Sequence, residues 1–419
     1  MKTAVLAGIS LKGEGAAFED RMAECESLCE AAGFEAAARV TQKSDSVDPR
    51  TAFRSGKLQE LALCVEQLGA EAVIFDRELS IAVMNRIQEA VGVEVIDRTN
   101  LILDIFSLRA RSKQARMQVE LARLLYALPS FAADHEAFEH ERGGSFRTRG
   151  SGESRSAQIV RAGRRRIAEL RRQLAAMEKE YHAAERRRGK SELARAALVG
   201  YTNAGKSSLL NAILADNRNE ERSVFVRDML FATLDSSVRN VSCEGRQFLL
   251  YDTVGFVSDL PHTLVEAFHS TLESARNADL LIHVADMTDS RLEEKMQVTK
   301  DTLRAIGADD IPLLTVYTKA DRVKRADRPA GLAVSSLTGE GIPELLDAIA
   351  RRLYPHEEVI HCLLPYEKTG LMHELARTVH ITVLEEREEG YLIRAEGERV
   401  RLKPLQQYEV KNENSLAEL

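Results

Sequence analysis

The stretch Ala196-Ala197-Leu198-Val199-Gly200-Tyr201-Thr202-Asn203-Ala204-Gly205-Lys206-Ser207 runs from a short apolar segment, through a glycine-bounded turn, into a helix-like segment, Ser207–Ala215. Its last eight residues satisfy G-x-x-x-x-G-K-[ST] in the strand-then-helix context that this pattern requires. The reason is chemical. Glycines let backbone N–H groups wrap phosphate oxygens, and the helix N-terminus adds the positive end of its dipole. Lys206 reaches the β- and γ-phosphates, and Ser207 offers a hydroxyl to Mg²⁺. A strand feeding such a loop and helix belongs to a doubly wound parallel sheet. The expected fold class is therefore α/β.

Downstream, three further segments arrive in the order that a guanine-nucleotide site needs. Asp252-Thr253-Val254-Gly255 ends an apolar run, Gln247–Tyr251. Asp252 is placed to meet Mg²⁺ through water, and the Gly255 N–H to meet the γ-phosphate. Thr318-Lys319-Ala320-Asp321 ends the run Leu313–Tyr317. The Asp321 carboxylate can accept from both N1–H and the 2-amino group of guanine, donors that adenine lacks. Ser335-Ser336-Leu337 follows Leu332–Val334, where backbone N–H groups meet the guanine O6.

Two positions depart from the commonest pattern. Thr318 stands where Asn is usual, and a hydroxyl cannot mimic an amide, so weaker nucleotide affinity is expected. Phe256 follows Gly255, where many such enzymes carry a water-orienting Gln. Hydrolysis then needs another group or a partner.

Working outward, residues 1–108 alternate strand-like runs (Thr3–Ile9, Ala72–Phe75, Val93–Ile96) with helical patterns (Ala16–Ala32, Lys57–Leu68, Ser80–Val91). This predicts an N-terminal α/β domain. Residues Arg98 to Tyr126 read as one long helix, ended near Pro129. A second long helix starts near Ser156. Met117, Leu121, Leu124 and Leu128 on the first, and Val160, Ile167, Leu170, Leu174, Met177 and Tyr181 on the second, follow a three-four spacing. That spacing predicts an antiparallel hairpin over 109–190, with a Gly- and Arg-rich tip. The GTPase domain is expected over 191–357, and a small α+β appendage over 358–419.

The 419 residues suit several domains, and an apolar fraction of 44% excludes a disordered chain. Five cysteines without a C-x-x-C pair exclude a disulfide framework and a zinc ribbon, and His residues form no H-E-x-x-H, so no structural metal is expected. No run is long enough to span a bilayer and no signal segment is read, so the expectation is a cytoplasmic protein. The net charge of −7 is uneven: Arg142 to Lys190 holds fifteen basic against five acidic residues, leaving 43 basic and 60 acidic elsewhere. A basic stretch on a Gly-rich tip fits contact with RNA phosphates, through Arg147, Arg149 and Arg155.

The phosphate loop and Asp252–Phe256, together with Phe231-Ala232-Thr233-Leu234-Asp235, resemble the HflX family of ribosome-associated GTPases. The N-terminal half carries the same resemblance in Ser55-Gly56-Lys57, Val95-Ile96-Asp97-Arg98-Thr99, Leu101–Phe106, Gln118-Val119-Glu120-Leu121-Ala122 and Arg147–Glu153. The resemblance implies that Phe231–Asp235 border GTP and that Thr233 completes the Mg²⁺ shell. With Lys206 and Gly255, Thr233 forms the expected catalytic set. It also implies that the partner is the large ribosomal subunit and its RNA, touched by the hairpin of a monomeric protein that binds GTP and GDP, with roles in ribosome splitting, rescue or biogenesis. Ser151 stands where the family usually has Pro, and Ser154-Arg155-Ser156 replaces a more acidic stretch. A rival expectation is a nucleotide-dependent module for a protein partner, with hydrolysis as a timer. A second nucleotide site in 1–108 lacks a phosphate loop.

Overall fold

The computed structural model describes residues 1–141, 155–187, 193–216, 237–243, 246–256, 274–355, 357–375 and 379–410. Three sheets organise them. The first is all-parallel, in the order β2 (Phe34–Ser44), β1 (Lys2–Leu11), β3 (Ala72–Phe75), β4 (Glu94–Ile96). Strand β1 is central and buried along most of its length, and its side chains alternate between two cores. Ala4 and Leu6 face α1 (Gly15–Ala32) and α4 (Arg98–Arg109); Val5, Ala7 and Ile9 face α2 (Ser55–Leu68) and α3 (Ile81–Val91). Period-two alternation thus splits one apolar run between the two helical layers. The edge strand β2 has no counterpart in the sequence reading. Its Phe-Glu-Ala-Ala-Ala-Arg-Val segment has little strand propensity and only one well-covered face.

The single helix expected over Arg98–Tyr126 is two. Helix α4 ends at Arg109, where Ala110 turns extended, and Ser112 Oγ accepts from the Ala115 N–H at 2.9 Å to start α5 (Lys113–Glu141). Pro129 does not end α5 but lies inside it. Proline removes one N–H donor, a loss this long helix carries. Asp97 anchors the joint. Its carboxylate accepts from the Asn100 and Leu79 N–H groups, at 2.9 and 3.0 Å, and from the Tyr126 hydroxyl. Burial raises the Asp97 carboxyl above its usual range.

Helices α5 and α6 (Arg155–Arg187) pair antiparallel: Glu120 bonds Arg166 at 2.6 Å, and Leu128 presses on Gly163. A Cβ at Gly163 would sit 2.3 Å from Leu128 Cδ1, so the small residue lets the helices approach. Met117, Leu121, Leu124 and Leu128 pack with Ile167, Leu170, Leu174 and Met177, along the seam that the spacing predicts. Arg147 and Arg149 lie outside the described residues, and Arg155 is the first residue of α6.

The second sheet has the order β10 (Leu332–Ala333), β9 (Leu313–Thr318), β8 (Leu280–Asp286), β5 (Ala194–Val199), β7 (Arg246–Asp252), β6 (Ser237–Cys243). Only β6 runs antiparallel. Helices α7 (Lys206–Asp216) and α9 (Ile342–Leu353) cover one face, and α8 (Leu292–Ala305) the other. Strand β5 lies between β7 and β8, so chain order reverses there and opens a crevice at the carboxyl ends of the strands. The third sheet, β11 (Glu357–Leu364), β13 (Gly390–Glu398), β12 (His380–Arg387), is antiparallel. Helix α11 (Arg399–Gln406), unread in the sequence, covers it through Leu402 and Leu405, and the short α10 (Gly370–Leu375) lies beside it. Arg246 ties this sheet to the second through buried Glu396, at 2.9 Å.

Candidate nucleotide-binding site

The phosphate loop leaves β5 at the crevice. Asn203, at φ 60°, and Gly205, at φ 92°, bend it in the left-handed region, which turns the backbone around a concave rim. Lys206 opens α7 but is not a surface residue: its side chain folds under the loop, and the residue is 7% exposed. Its Nζ donates to the Gly200 and Tyr201 carbonyls at 3.0 and 2.8 Å. Burial lowers the ammonium to about 8, with the Asp252 charge acting in the opposite sense.

Ser207 Oγ donates to Asp252 Oδ2 at 2.7 Å, and Asp252 is fully buried at the end of β7. A hydroxyl beside a carboxylate is a hard oxygen pair that suits Mg²⁺, which takes one or two protein oxygens and fills its shell with phosphate and water. Thr253 donates its hydroxyl to the Leu198 carbonyl at 2.6 Å, which fixes the segment against β5. Phe256 then pairs with the loop itself: its N–H donates to the Gly200 carbonyl at 3.1 Å, and its carbonyl accepts from the Thr202 N–H at 2.7 Å. A Cβ at Gly255 would lie 2.8 Å from Thr202 and 2.9 Å from Lys206 Nζ, so only glycine brings this backbone so close. The Phe256 ring is buried in the core with Val199, Tyr251 and Leu281.

Thr318, where Asn is usual, spends its hydroxyl on the backbone around it. It is 1% exposed, and its Oγ1 lies 2.7 Å from the Ala204 carbonyl and 3.2 Å from that of Ala285. The hydroxyl thus reaches the phosphate loop directly and ties it to the base-side strand. Lys319 adopts φ 62° and pairs with Asp286 at 2.6 Å. Asp321 stands exposed at the crevice, and Ser335 Oγ donates to its Oδ1 at 2.6 Å. That bond is the main reason the Asp321 carboxyl titrates below its usual range. Sequence reasoning credited the 335–337 segment with backbone donors only and missed this hydroxyl. Ser336 is half-buried and Leu337 is 85% exposed at the rim. Phe231, Ala232, Thr233, Leu234 and Asp235 lie outside the described residues.

One contact had no signal in the sequence. The Tyr201 hydroxyl donates to Glu24 Oε1 on α1 at 2.5 Å, 177 positions away, and Glu24 also meets Arg98 at 3.2 Å. Lys295 sits 4.9 Å above the Tyr201 ring. Tyr201 and Val254 pack into the N-terminal core, so the phosphate loop abuts the first sheet's helices across a cavity of about 310 Å³. His283 lines this cavity. Burial lowers it to about 4, with Lys300 and Lys206 adding to the effect, which leaves a neutral core residue.

Comparison with known proteins places most of the chain in one family. Residues 19–107 match the family described as GTP-binding GTPase N-terminal, 109–188 the GTP-binding GTPase Middle Region, and 195–319 the 50S ribosome-binding GTPase. The GTPase HflX of Caldanaerobacter subterraneus subsp. tengcongensis is 39% identical over 383 residues, 90% of this chain and 87% of that protein. The GTPase HflX of Escherichia coli K12 is 38% identical over 340 residues, 79% of this chain and 78% of that protein. A solved GTP-binding protein of Sulfolobus solfataricus in complex with GDP is similar at 25% identity, covering 84% of this chain and 99% of that chain, with a TM-score of 0.44. With a phosphate loop, a buried carboxylate and a base-side strand gathered at one crevice, and with relatives matching over most of its length, this chain belongs to the HflX family of GTPases.

Proposed function

We propose that the chain is a GTP-driven switch that docks on the large ribosomal subunit, in ribosome splitting, rescue or biogenesis, as a cytoplasmic monomer. The observation that carries this reading is the convergence of Lys206, Ser207, Asp252, Thr318, Asp321 and Ser335 at the carboxyl ends of one sheet. In this reading the Gly200–Ser207 backbone cradles the α- and β-phosphates. The Lys206 ammonium offsets the charge that builds on the β–γ bridging oxygen as water attacks the γ-phosphorus. Ser207 would hold Mg²⁺ directly, Asp252 would hold it through water, and Thr233 would complete the shell. The ion, when bound, neutralises the phosphate oxygens. Gly255 donates its N–H to the γ-phosphate and couples the nucleotide to the Phe256 segment. Asp321 reads guanine, flanked by Lys319, Ala320 and the 335–337 backbone.

Phe256 supports a need for the ribosome. Its ring is 2% exposed and cannot orient the attacking water, so turnover by the protein alone is slow. The outer face of α6 presents Arg161, Arg164, Arg165 and Lys179 to solvent, a spacing that aligns cations for RNA phosphates. Among the described residues no helix is long and apolar enough to cross a membrane. Steady-state GTP turnover with and without purified large subunits tests the reading. Subunits should raise the rate by about tenfold or more, against the roughly 10³–10⁵-fold that partner-supplied stabilisation can reach. Equal rates at saturating subunits would overturn it.

A further inference from the structure

The base-side wall of the crevice is built from two loops that need to keep register. One carries Asp321 on a single short turn, Ala320–Arg322; the other carries Ser335. Arg328, seven residues after Asp321, touches both. Its Nη2 donates to the Ala320 carbonyl at 2.7 Å and its Nε to the Val323 carbonyl at 3.2 Å. Its Nη1 and Nη2 also form a two-pronged pair with Glu340, at 2.7 and 3.2 Å. Glu340 in turn belongs to the second loop: its own carbonyl accepts from the Ser335 N–H at 2.9 Å. The Arg328 side chain is 14% exposed, whereas Arg325, the other cation near Glu340, is 87% exposed and no closer than 3.9 Å.

We propose that Arg328 is a positioning residue for guanine selection, clamping the backbone that carries Asp321 to the loop that carries Ser335. The inference rests on the reading of Asp321 as the base-reading carboxylate. A planar guanidinium can spend its donors on two carbonyls and one carboxylate at once, which a lysine ammonium cannot do with the same fixed angles. Without the clamp, Ser335 and Asp321 lose their common frame, and the second hydrogen bond to guanine is the first to suffer.

Inosine diphosphate lacks the guanine 2-amino group, so the ratio of its Kd to that of GDP reports the second Asp321 hydrogen bond. Calorimetric titration of the full chain with both nucleotides gives that ratio for wild type, Arg328→Gln, Glu340→Gln and Asp321→Asn. Arg328→Gln should weaken GDP roughly tenfold and inosine diphosphate much less, lowering the ratio about threefold or more. Glu340→Gln should move it in the same direction by less, and it carries the test alone if Arg328→Gln fails to fold. Equal loss of both nucleotides, or loss of neither, would overturn the clamp. An unchanged ratio in Asp321→Asn would instead overturn the base-reading assignment beneath it.

Discussion

Raising the pH should remove the proton from Lys206 and weaken nucleotide binding. The ammonium lies under the phosphate loop, faces two carbonyls, and is lowered by burial to about 8. A bound phosphate adds negative charge to that of Asp252, so the bound form keeps the proton to higher pH. The sign follows: above pH 8 binding takes up a proton, and affinity falls as pH rises. A group with a pKa of about 8 is about nine-tenths protonated at pH 7 and about one-quarter protonated at pH 8.5. GDP affinity should therefore drop about fourfold over that interval, ~0.8 kcal/mol. Proton uptake should rise from about 0.1 to about 0.75 per binding event. Guanine itself keeps its N1 proton in this range. Titration calorimetry in two buffers of different ionisation heat reads the uptake directly. Absence of uptake at pH 8.5 would refute the assignment, as would uptake that persists in Lys206→Ala.

Asp321→Asn should shift preference from guanine to xanthine nucleotides, because the amide can no longer accept twice; unchanged discrimination in competition binding contradicts its role. Thr318→Val should weaken GDP binding by about 1 kcal/mol by removing the hydroxyl from the Ala204 carbonyl, and Thr318→Asn should restore most of it. Equal affinity for Thr318→Val and wild type would mean that the hydroxyl does not hold the loop. Replacing Arg147, Arg149 and Arg155 with Ala should flatten the slope of log subunit affinity against log salt by about 2, at roughly 0.7 per phosphate contact, and leave GDP affinity unchanged. Identical slopes would confine these arginines to solvent.

The parts of this molecule legible in its sequence are those whose chemistry leaves little choice. Gly200–Ser207 reads as a phosphate loop because few residue types permit that backbone, and the α5–α6 seam reads from its spacing. Strand β2 is hidden because it packs by position, with Ala, Arg and Glu where β-branched residues give the usual signal. The break at Ala110 carries neither Gly nor Pro, while Pro129 marks a helix end that α5 does not obey. In the site, residue types announce Lys206, Asp252 and Asp321. The Thr318 hydroxyl on Ala204, the Tyr201–Glu24 bond and the Arg328–Glu340 pair depend on loops meeting in space, and no local pattern encodes such meetings.

In the proposed switch, GTP and not GDP commits this protein to the large ribosomal subunit. Sedimentation of the purified chain with large subunits, in the presence of a non-hydrolysable GTP analogue or of GDP, measures it directly. The protein should comigrate with subunits in the analogue and stay largely in the supernatant with GDP, with Lys206→Ala failing to comigrate in either. Comigration that is equal in both nucleotides, or absent in both, would contradict a nucleotide-controlled ribosomal switch.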